Sequence, residues 1–420
     1  MLVNNAALKM DATSSLIQSL NHDARQLFPD VQFCGTPENR LEHVPVDLVQ
    51  YVVALLRDHP APAPESPPQA WRTLLGCLRA HWVSPLLHWK LAACPPTSAP
   101  PPEIQHEIRV TFLRAQAETI YVSQQIGELR QRFTSAGIPV LILKGPALAW
   151  SVYPHPATRP SSDLDVLVLP DTVPAARRLL VELGYTCLDR KYDVARHFYC
   201  EELLCPPRQA KHHRWIELHW ELSPVAGLGR AASVSELFER AVRVTGDAIE
   251  FDALHPVDAL LHRALVNAFH HGRDLRLIWL TDVALLARQI TLLDAWSVLQ
   301  ERCGAWRARS AVELSLRLTC AWLDLRLPAA VADFAVWPQP TPAERHIWDR
   351  AMARHTNLLA YLSLYVRSGA IPPVDLVRMG WHVLFPDPAW MRLKYPPAQG
   401  WRLTGAYFRR WRRWFTQGFR

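Results

Sequence analysis

The chain has 420 residues, of which 49% are hydrophobic, 20% are charged and 17 are tryptophan. This composition excludes an intrinsically disordered protein, which would be poor in aromatics and rich in charge, and the length favours two or three modules in one folded body. The net charge of +7 is carried by the C-terminal end, because residues 388–420 contain seven Arg, one Lys and no acidic residue.

The sequence contains no recognisable targeting or cross-linking signal. No apolar run reaches about eighteen residues, and polar and acidic residues interrupt the N-terminal stretch where a signal peptide needs an apolar segment. We therefore expect a cytoplasmic location. The eight cysteines lie apart without a CxxC pair, which predicts reduced core residues, no disulfide partner and no zinc site.

The N-terminal part is predicted to be helical with proline-rich connectors. Proline clusters at 60–68 and 94–102 flank a stretch of helical spacing from Trp71 to Leu91, because clustered Pro cannot continue a helix. A long amphipathic helix is predicted from Glu103 to Ala136, where apolar residues recur at helical steps and Gly137 follows as a stop.

Short strands and helices then alternate. The predicted strands cover 138–143, 164–169, 196–204 and 214–222. Pro146 is well placed to begin one helix, and Asp171 is predicted to cap a second helix that stops at Gly184. A helical remainder begins at Pro256. This order predicts an α+β fold with a small core at 111–250, flanked by helical regions at 1–110 and 251–420.

Paired carboxylates are the main chemical signal. Asp163 and Asp165 project to the same face of a strand, because residues i and i+2 do so, while Leu164 faces a core. Two adjacent carboxylates repel unless a cation lies between them, and oxygen ligands of this kind suit Mg²⁺. Alternatively, Asp163 caps the strand and Asp165 is a solvated edge residue.

A second acidic strand supports the metal interpretation. Its alternation places Glu217, His219 and Glu221 on one face and Ile216, Leu218 and Trp220 on the other. Glu217 is therefore our candidate for the third metal carboxylate. The alternative is a strand with an ordinary polar outer face.

Phosphate-binding groups are predicted upstream of the carboxylates. Lys144 and Gly145 lie at a turn between strand and helix, where free N–H groups of a helix N-terminus favour phosphate. Arg159, just before the carboxylates, is able to fork onto another phosphate oxygen. The alternative is that Arg159 is a loop residue in solvent.

These motifs resemble the uncharacterised nucleotidyltransferase family of the DNA polymerase beta superfamily. The resemblance extends from the helix at 71–91 to about Arg288, with a weaker similarity at Phe385-Pro386 and Tyr395. The segments that carry it are Lys144-Gly145, Arg159-Pro160, Asp163-Leu164-Asp165, Leu183-Gly184-Tyr185 and Glu217-Leu218-His219-Trp220.

The resemblance implies a polymerase beta-like mixed sheet that holds two Mg²⁺ ions. If the residues of this chain act as their family counterparts do, Asp163 and Asp165 ligate metal, and Glu217 is the third carboxylate and candidate base. Lys144 and Gly145 lie under the phosphates of an NTP such as ATP. The family also shows a His and an Asp at positions that match His271 and Asp282, which are predicted to close over the nucleotide or the acceptor; a structural role is the alternative.

The C-terminal end is predicted to form a basic amphipathic helix. Its apolar arc comprises Leu403, Tyr407, Phe408, Trp411, Trp414 and Phe415, and its basic side comprises Arg402, Arg409, Arg410, Arg412 and Arg413. The alternatives are a packed terminal helix with Arg in solvent, or a surface for RNA, an anionic membrane or an acidic protein partner.

The sequence thus predicts a Mg²⁺-dependent nucleotidyltransferase that moves an NMP from an NTP to an unidentified acceptor, with release of pyrophosphate. The acceptor classes are a small molecule, a peptide and RNA. The rival hypothesis is a noncatalytic module that binds nucleotide, RNA or peptide through a degenerate site.

Overall fold

The computed structural model describes most of the chain. The described residues are 14–22, 32–33, 40–189, 191–195, 199–210, 212–223, 233–246, 249–271, 274–342, 344–345, 348–349, 373–388, 391–392, 395 and 401–417. Among these residues, no helix combines the length and the hydropathy needed to cross a bilayer.

A seven-stranded mixed sheet forms in the middle of the chain. Its strands, in the spatial order β4-β5-β6-β3-β2-β8-β7, are parallel at the pairs β3–β6 and β2–β8 and antiparallel elsewhere. A separate two-stranded parallel pair joins β1 to β9. The strands are β1 Gln32–Phe33, β2 Val140–Ile142, β3 Asp163–Val168, β4 Thr186–Cys187, β5 Glu201–Cys205, β6 Trp215–His219, β7 Val242–Gly246, β8 Ile249–Ala253 and β9 Asp274–Leu275.

Helices precede, interrupt and follow the sheet, so the predicted α+β class is confirmed. The helices before β7 are α1 Val46–Leu56, α2 Pro68–Ala80, α3 Ser84–Leu91, α4 Pro102–Ser135, α5 Lys144–Ser151, α6 Val173–Glu182, α7 Lys191–Ala195 and α8 Val234–Glu239. The later helices are α9 Pro256–Leu265, α10 Leu277–Leu292, α11 Trp296–Ala305, α12 Arg309–Leu323, α13 Ala329–Ala332, α14 Pro373–Leu384 and α15 Trp401–Gln417. A short π-helix, Val266–His271, continues α9.

One face of the sheet packs against α4 and α6. Alternate residues of β3 and β6 point into this core: Leu164, Val166, Ile216 and Leu218. They share one side because side chains that are paired across neighbouring strands project to the same face of the sheet. The second half of α4 covers them, with Phe133 fully buried. The predicted alternation of both strands is therefore confirmed.

A second core joins helices from before the sheet with helices from after it. Apolar residues of α1 to α3 pack in one cluster with those of α9 to α12. Arg57, at the end of α1, donates to the carbonyls of Ala321 and Trp322 on α12, at 2.6 and 3.0 Å. The long helix α4 also runs through the predicted boundary at 110/111.

Three local predictions were wrong. The stretch 71–91 forms two helices, because Trp82 takes a left-handed φ of 60° and Pro85 has no N–H to continue a helix. Asp171 lies in a 3₁₀ turn and does not cap the next helix, which begins at Val173 after Thr172. The hairpin of β7 and β8 was missed; it extends the sheet to Ala253.

The terminal helix α15 packs against the end of α14 and against Met391 and Tyr395. Trp411 donates its indole N–H to the Leu384 carbonyl at 2.8 Å, and Tyr407 donates its hydroxyl to the Pro386 carbonyl at 2.5 Å. Phe408 is 62% exposed although it was predicted to lie on the apolar arc. The side chains of Arg402, Arg413, Trp414 and Phe415 lie outside the described residues. The anionic partners of this helix stay a prediction.

A buried carboxyl on β5 gives a pH prediction. Burial raises the pKa of Glu202 to about 7, although Arg177 lies 3.5 Å away. The folded state therefore holds this proton more tightly than the unfolded state, so the contribution of Glu202 to the free energy of unfolding is full below about pH 4.5 and is lost as pH rises through 7. We expect Glu202→Gln to remove about 2–3 kcal/mol of this loss between pH 5 and 8.

Urea unfolding at pH 5 and pH 8 measures this effect. Glu182→Gln, at an exposed position on α6, is the control and should keep the wild-type pH dependence. An unchanged pH dependence in Glu202→Gln would show that Glu202 is ionised in the folded protein at both pH values.

Candidate active site

The acidic residues of β3 and β6 share one face of the sheet. The parallel register pairs Asp165 with Glu217 and Leu167 with His219. Asp163 lies two residues before Asp165 and projects to the same side. The two predicted acidic strands are thus direct neighbours, and their polar faces coincide.

Lys144 links two of these carboxylates. Its ammonium nitrogen lies 2.6 Å from Asp165 Oδ1 and 3.5 Å from Glu217 Oε2. The backbone brings it there because the Leu143 N–H donates to the Asp165 carbonyl at 3.0 Å and Lys144 then turns at a left-handed φ of 47°. Burial lowers the pKa of Lys144, but the surrounding carboxylates outweigh it and raise this pKa. The ammonium is therefore the cation between the carboxylates.

His219 extends the polar cluster toward β5. Its Nε2 lies 3.0 Å from Asp165 Oδ1, and its Nδ1 lies 3.4 Å from Glu201 Oε2. Burial and Lys144 lower the pKa of this imidazole, yet hydrogen bonds and the carboxylates raise it well above the usual value. A charged imidazolium at this position helps to balance the acidic side chains.

The carboxylates differ in their electrostatic surroundings. Burial, followed by repulsion from Asp165 and Glu217, raises the pKa of Asp163 to about 6. Burial also acts on Glu217, but its contacts with His219 and Lys144 hold the pKa well below the usual value. The described ion pairs reach Asp165 and Glu217 and do not include Asp163. The site therefore has room for further positive charge at Asp163.

Arg159 and Asp282 form a buried pair beside the site. The guanidinium donates from Nε and Nη2 to the two Asp282 oxygens at 2.7 and 2.8 Å, and Tyr153 donates its hydroxyl to Asp282 at 2.8 Å. Asp282 has no exposed surface and Arg159 has 4%. In this arrangement Arg159 is not in solvent and not open to a phosphate, and Asp282 does not cover a cleft. The pair attaches the loop at 154–160 to α10.

A model of the uncharacterised nucleotidyltransferase family matches residues 67–324. The chain belongs to this family. A search of curated proteins finds no match. The family assignment supports nucleotidyl transfer as the general chemistry of the domain and a nucleotide as one substrate. The matched span includes all seven strands of the main sheet and the acidic cluster.

Two groups of side chains that could hold a metal ion share His219. Donor atoms of Asp165, Glu217 and His219 lie within 4.8 Å of one another, and a second set comprises Cys200, Glu201 and His219. Neither Cys200 nor Glu201 was predicted as a site residue, because the start of β5 meets the end of β6 only through the antiparallel pairing of the sheet. The side chain of His271 lies outside the described residues.

Two polar residues of α9 also reach the site region and were missed by sequence reasoning. His262 and Arg263 are 2% and 3% exposed, and the His262 ring centroid lies 6.4 Å from that of His219. A signal was present in the sequence, since these two adjacent polar residues lie in a mostly apolar helix that has to be buried on most sides.

Gly145 allows the start of α5 to approach the loop before β3. A Cβ at this position would lie 2.8 Å from the Ser161 Cβ. The predicted role of Gly145 at a phosphate stays a prediction, but its contact with Ser161 already requires the absence of a side chain. The contact places Lys144 next to β3.

We expect Gly145→Ala to lower the free energy of unfolding by about 1–2 kcal/mol, because the steric cost exceeds the gain in helix propensity. Ser161→Gly in the same chain should restore stability, since it removes the opposing Cβ. Gly127→Ala should stabilise the protein, because a Cβ added at this helical position would meet no described heavy atom within 4 Å outside the backbone of its own helix. Thermal and urea unfolding of the wild type and the three variants measure this, and a destabilised double variant would contradict the contact.

Proposed function

We propose that this protein is a Mg²⁺-dependent nucleotidyltransferase that transfers an NMP from an NTP to an acceptor and releases pyrophosphate. The observation that carries the proposal is the register of β3 and β6, which sets Asp165 beside Glu217 and leaves Asp163 on the same face. Family membership supports the same chemistry.

The donor set fits a hard divalent cation. Asp163, Asp165 and Glu217 offer carboxylate oxygens, the ligand type that Mg²⁺ prefers. Their mutual repulsion, which raises the pKa of Asp163, is relieved by added positive charge. Bound Mg²⁺ supplies electrostatic stabilisation of the phosphate oxygens during in-line displacement. Both Mg²⁺ and the number of two ions are part of the proposal.

The remaining residues hold this arrangement. Lys144 neutralises Asp165, and we assign its ammonium also to the phosphates of the nucleotide. His219 fixes the orientation of Asp165 through its Nε2. Glu217 is our candidate to accept the proton of an acceptor hydroxyl, in addition to binding the metal. We assign Arg159 to positioning of the loop, since its donors already bind Asp282 and Pro160.

Nucleotide binding tests the proposal without knowledge of the acceptor. We expect calorimetry to detect binding of at least one of ATP, GTP, CTP and UTP that requires Mg²⁺, and Asp163→Asn to weaken it at least about tenfold. Asp171→Asn, an exposed aspartate outside the site, is the control. If Asp163→Asn binds NTP and Mg²⁺ like the wild type, the metal assignment fails, and salt-sensitive RNA binding in both variants would favour the noncatalytic module.

A further inference from the structure

A cavity of about 430 Å³ lies beside the acidic cluster, between α5, β7, α9 and α10. This volume is within the range of sites for small organic molecules. Lys144 lines one wall, and its ammonium also binds Asp165 and Glu217. The side chain of Lys144 thus lies between the cavity and the proposed metal carboxylates.

The cavity has a polar floor and an exposed rim. His262 and Arg263 line it and are 2% and 3% exposed, whereas Leu293 and Arg243, also in its lining, are 48% and about half exposed. The wall between them contains both polar and apolar side chains, and the apolar ones include Leu148, Trp150 and Val244. A ligand that fills this space therefore has a polar end at the floor and an apolar body toward the rim.

The floor offers donors that the described residues do not satisfy. Within the described part of the chain, Arg263 Nε and Nη1 and His262 Nε2 are buried and make no hydrogen bond. The nearest carboxylate oxygen to Arg263 Nη1 is Asp282 Oδ2 at 3.8 Å, and Arg159 already donates to it at 2.8 Å. A buried guanidinium with unused donors is unfavourable, and an anionic group at the floor would bind it.

Charge distinguishes the two substrates of the proposed reaction. The other cations of the lining, Lys144 and Arg243, already pair with carboxylates. The guanidinium and the imidazole at the floor match a single anionic group, whereas a triphosphate carries several charges and relies on metal ions and further cations. We infer that this cavity binds the acceptor, an inference that rests on the proposed nucleotidyl transfer. The acceptor is an amphipathic organic anion whose carboxylate or phosphate head contacts His262 and Arg263.

Calorimetry with octanoate, octyl phosphate and neutral 1-octanol tests this inference on the full chain. We expect at least one of the two anions to bind with a one-to-one stoichiometry and at least about tenfold more tightly than 1-octanol; comparison of the two anions distinguishes a carboxylate from a phosphate. Binding should persist with Mg²⁺ and NTP present, because we propose that the nucleotide binds at the carboxylates and not inside the cavity.

Two variants locate the binding. Ala259→Leu fills the cavity from α9 without a change in charge, and Arg263→Gln removes the guanidinium; each should weaken anion binding at least about tenfold. Ala117→Leu, at an exposed helical position, should bind like the wild type. Ala259→Leu keeps the test valid if Arg263→Gln fails to fold.

The inference is overturned if 1-octanol binds as well as both anions, if folded Ala259→Leu binds the anions with wild-type affinity, or if NTP with Mg²⁺ displaces them. Such failures are distinct from failure of the proposed function, because Mg²⁺-dependent NTP binding and its loss in Asp163→Asn do not involve the cavity floor. Loss of that NTP response with intact anion binding would instead contradict the transferase proposal.

Discussion

Asp282→Asn is expected to lower the free energy of unfolding by about 3–5 kcal/mol. The change removes the only full negative charge among the described partners of the Arg159 guanidinium, which has 4% exposure and cannot recover solvation. It also weakens the contact with Arg263, 3.8 Å away. Urea unfolding at neutral pH, followed by tryptophan fluorescence and circular dichroism, measures the loss.

A double variant and a surface pair make this prediction specific. Arg159→Met with Asp282→Asn should recover much of the stability, because the buried charge is removed together with its partner. Asp252→Asn breaks a similar pair with Arg243 in which both side chains are more than a third exposed, and should have little effect. If Asp282→Asn is as mild as Asp252→Asn, the Arg159–Asp282 pair does not stabilise this fold.

Asp165→Asn should reduce nucleotidyl transfer about a thousandfold or more. The amide is nearly the same size as the carboxylate and keeps an oxygen for Lys144 and His219, but it removes a charge from the proposed metal site. Pyrophosphate release from NTP, with Mg²⁺ and a mixture of small organic anions, peptides and RNA as acceptors, measures the rate.

Folding has to be separated from chemistry in this experiment. Asp171→Asn should transfer at the wild-type rate, and the melting temperature of Asp165→Asn shows whether the loss of charge has also weakened the sheet. A folded Asp165→Asn protein that retains transfer within about tenfold of the wild-type rate would remove Asp165 from the reaction.

Local periodicity was sufficient to predict the face that carries the acidic residues. In β3 and β6 every second residue is apolar and buried, so Asp163, Asp165, Glu217 and His219 had to share the opposite side once the strands became neighbours. Gly137 and Gly184 end their helices at left-handed φ values of 67° and 88°, where glycine is favoured over other residues. The hairpin of β7 and β8 carried a similar alternating signal, in Val242 and Val244, that was overlooked.

Partners far apart in the chain were not predictable. Lys144 has the charge for a phosphate, but its position between Asp165 and Glu217 depends on the pairing of β3 with β6, which brings Glu217 close although it lies 73 residues later in the chain. Arg159 lies 123 residues from Asp282, so its role as a buried ion-pair partner could not be read from the loop sequence. The same applies to the cavity, whose walls come from the segments 142–152, 242–263 and 286–293.

The core shared by α1 to α3 and α9 to α12 affects how this protein can be divided. A fragment cut at residue 67, where the family match begins, would lack α1 and leave the surface of α12 that binds Arg57 uncovered. Expression of that fragment should give an aggregating product, although it contains every acidic residue of the site. We therefore expect the family domain and the helices before it to unfold as one cooperative unit, and engineered fusions or truncations should keep residues 46–337 together.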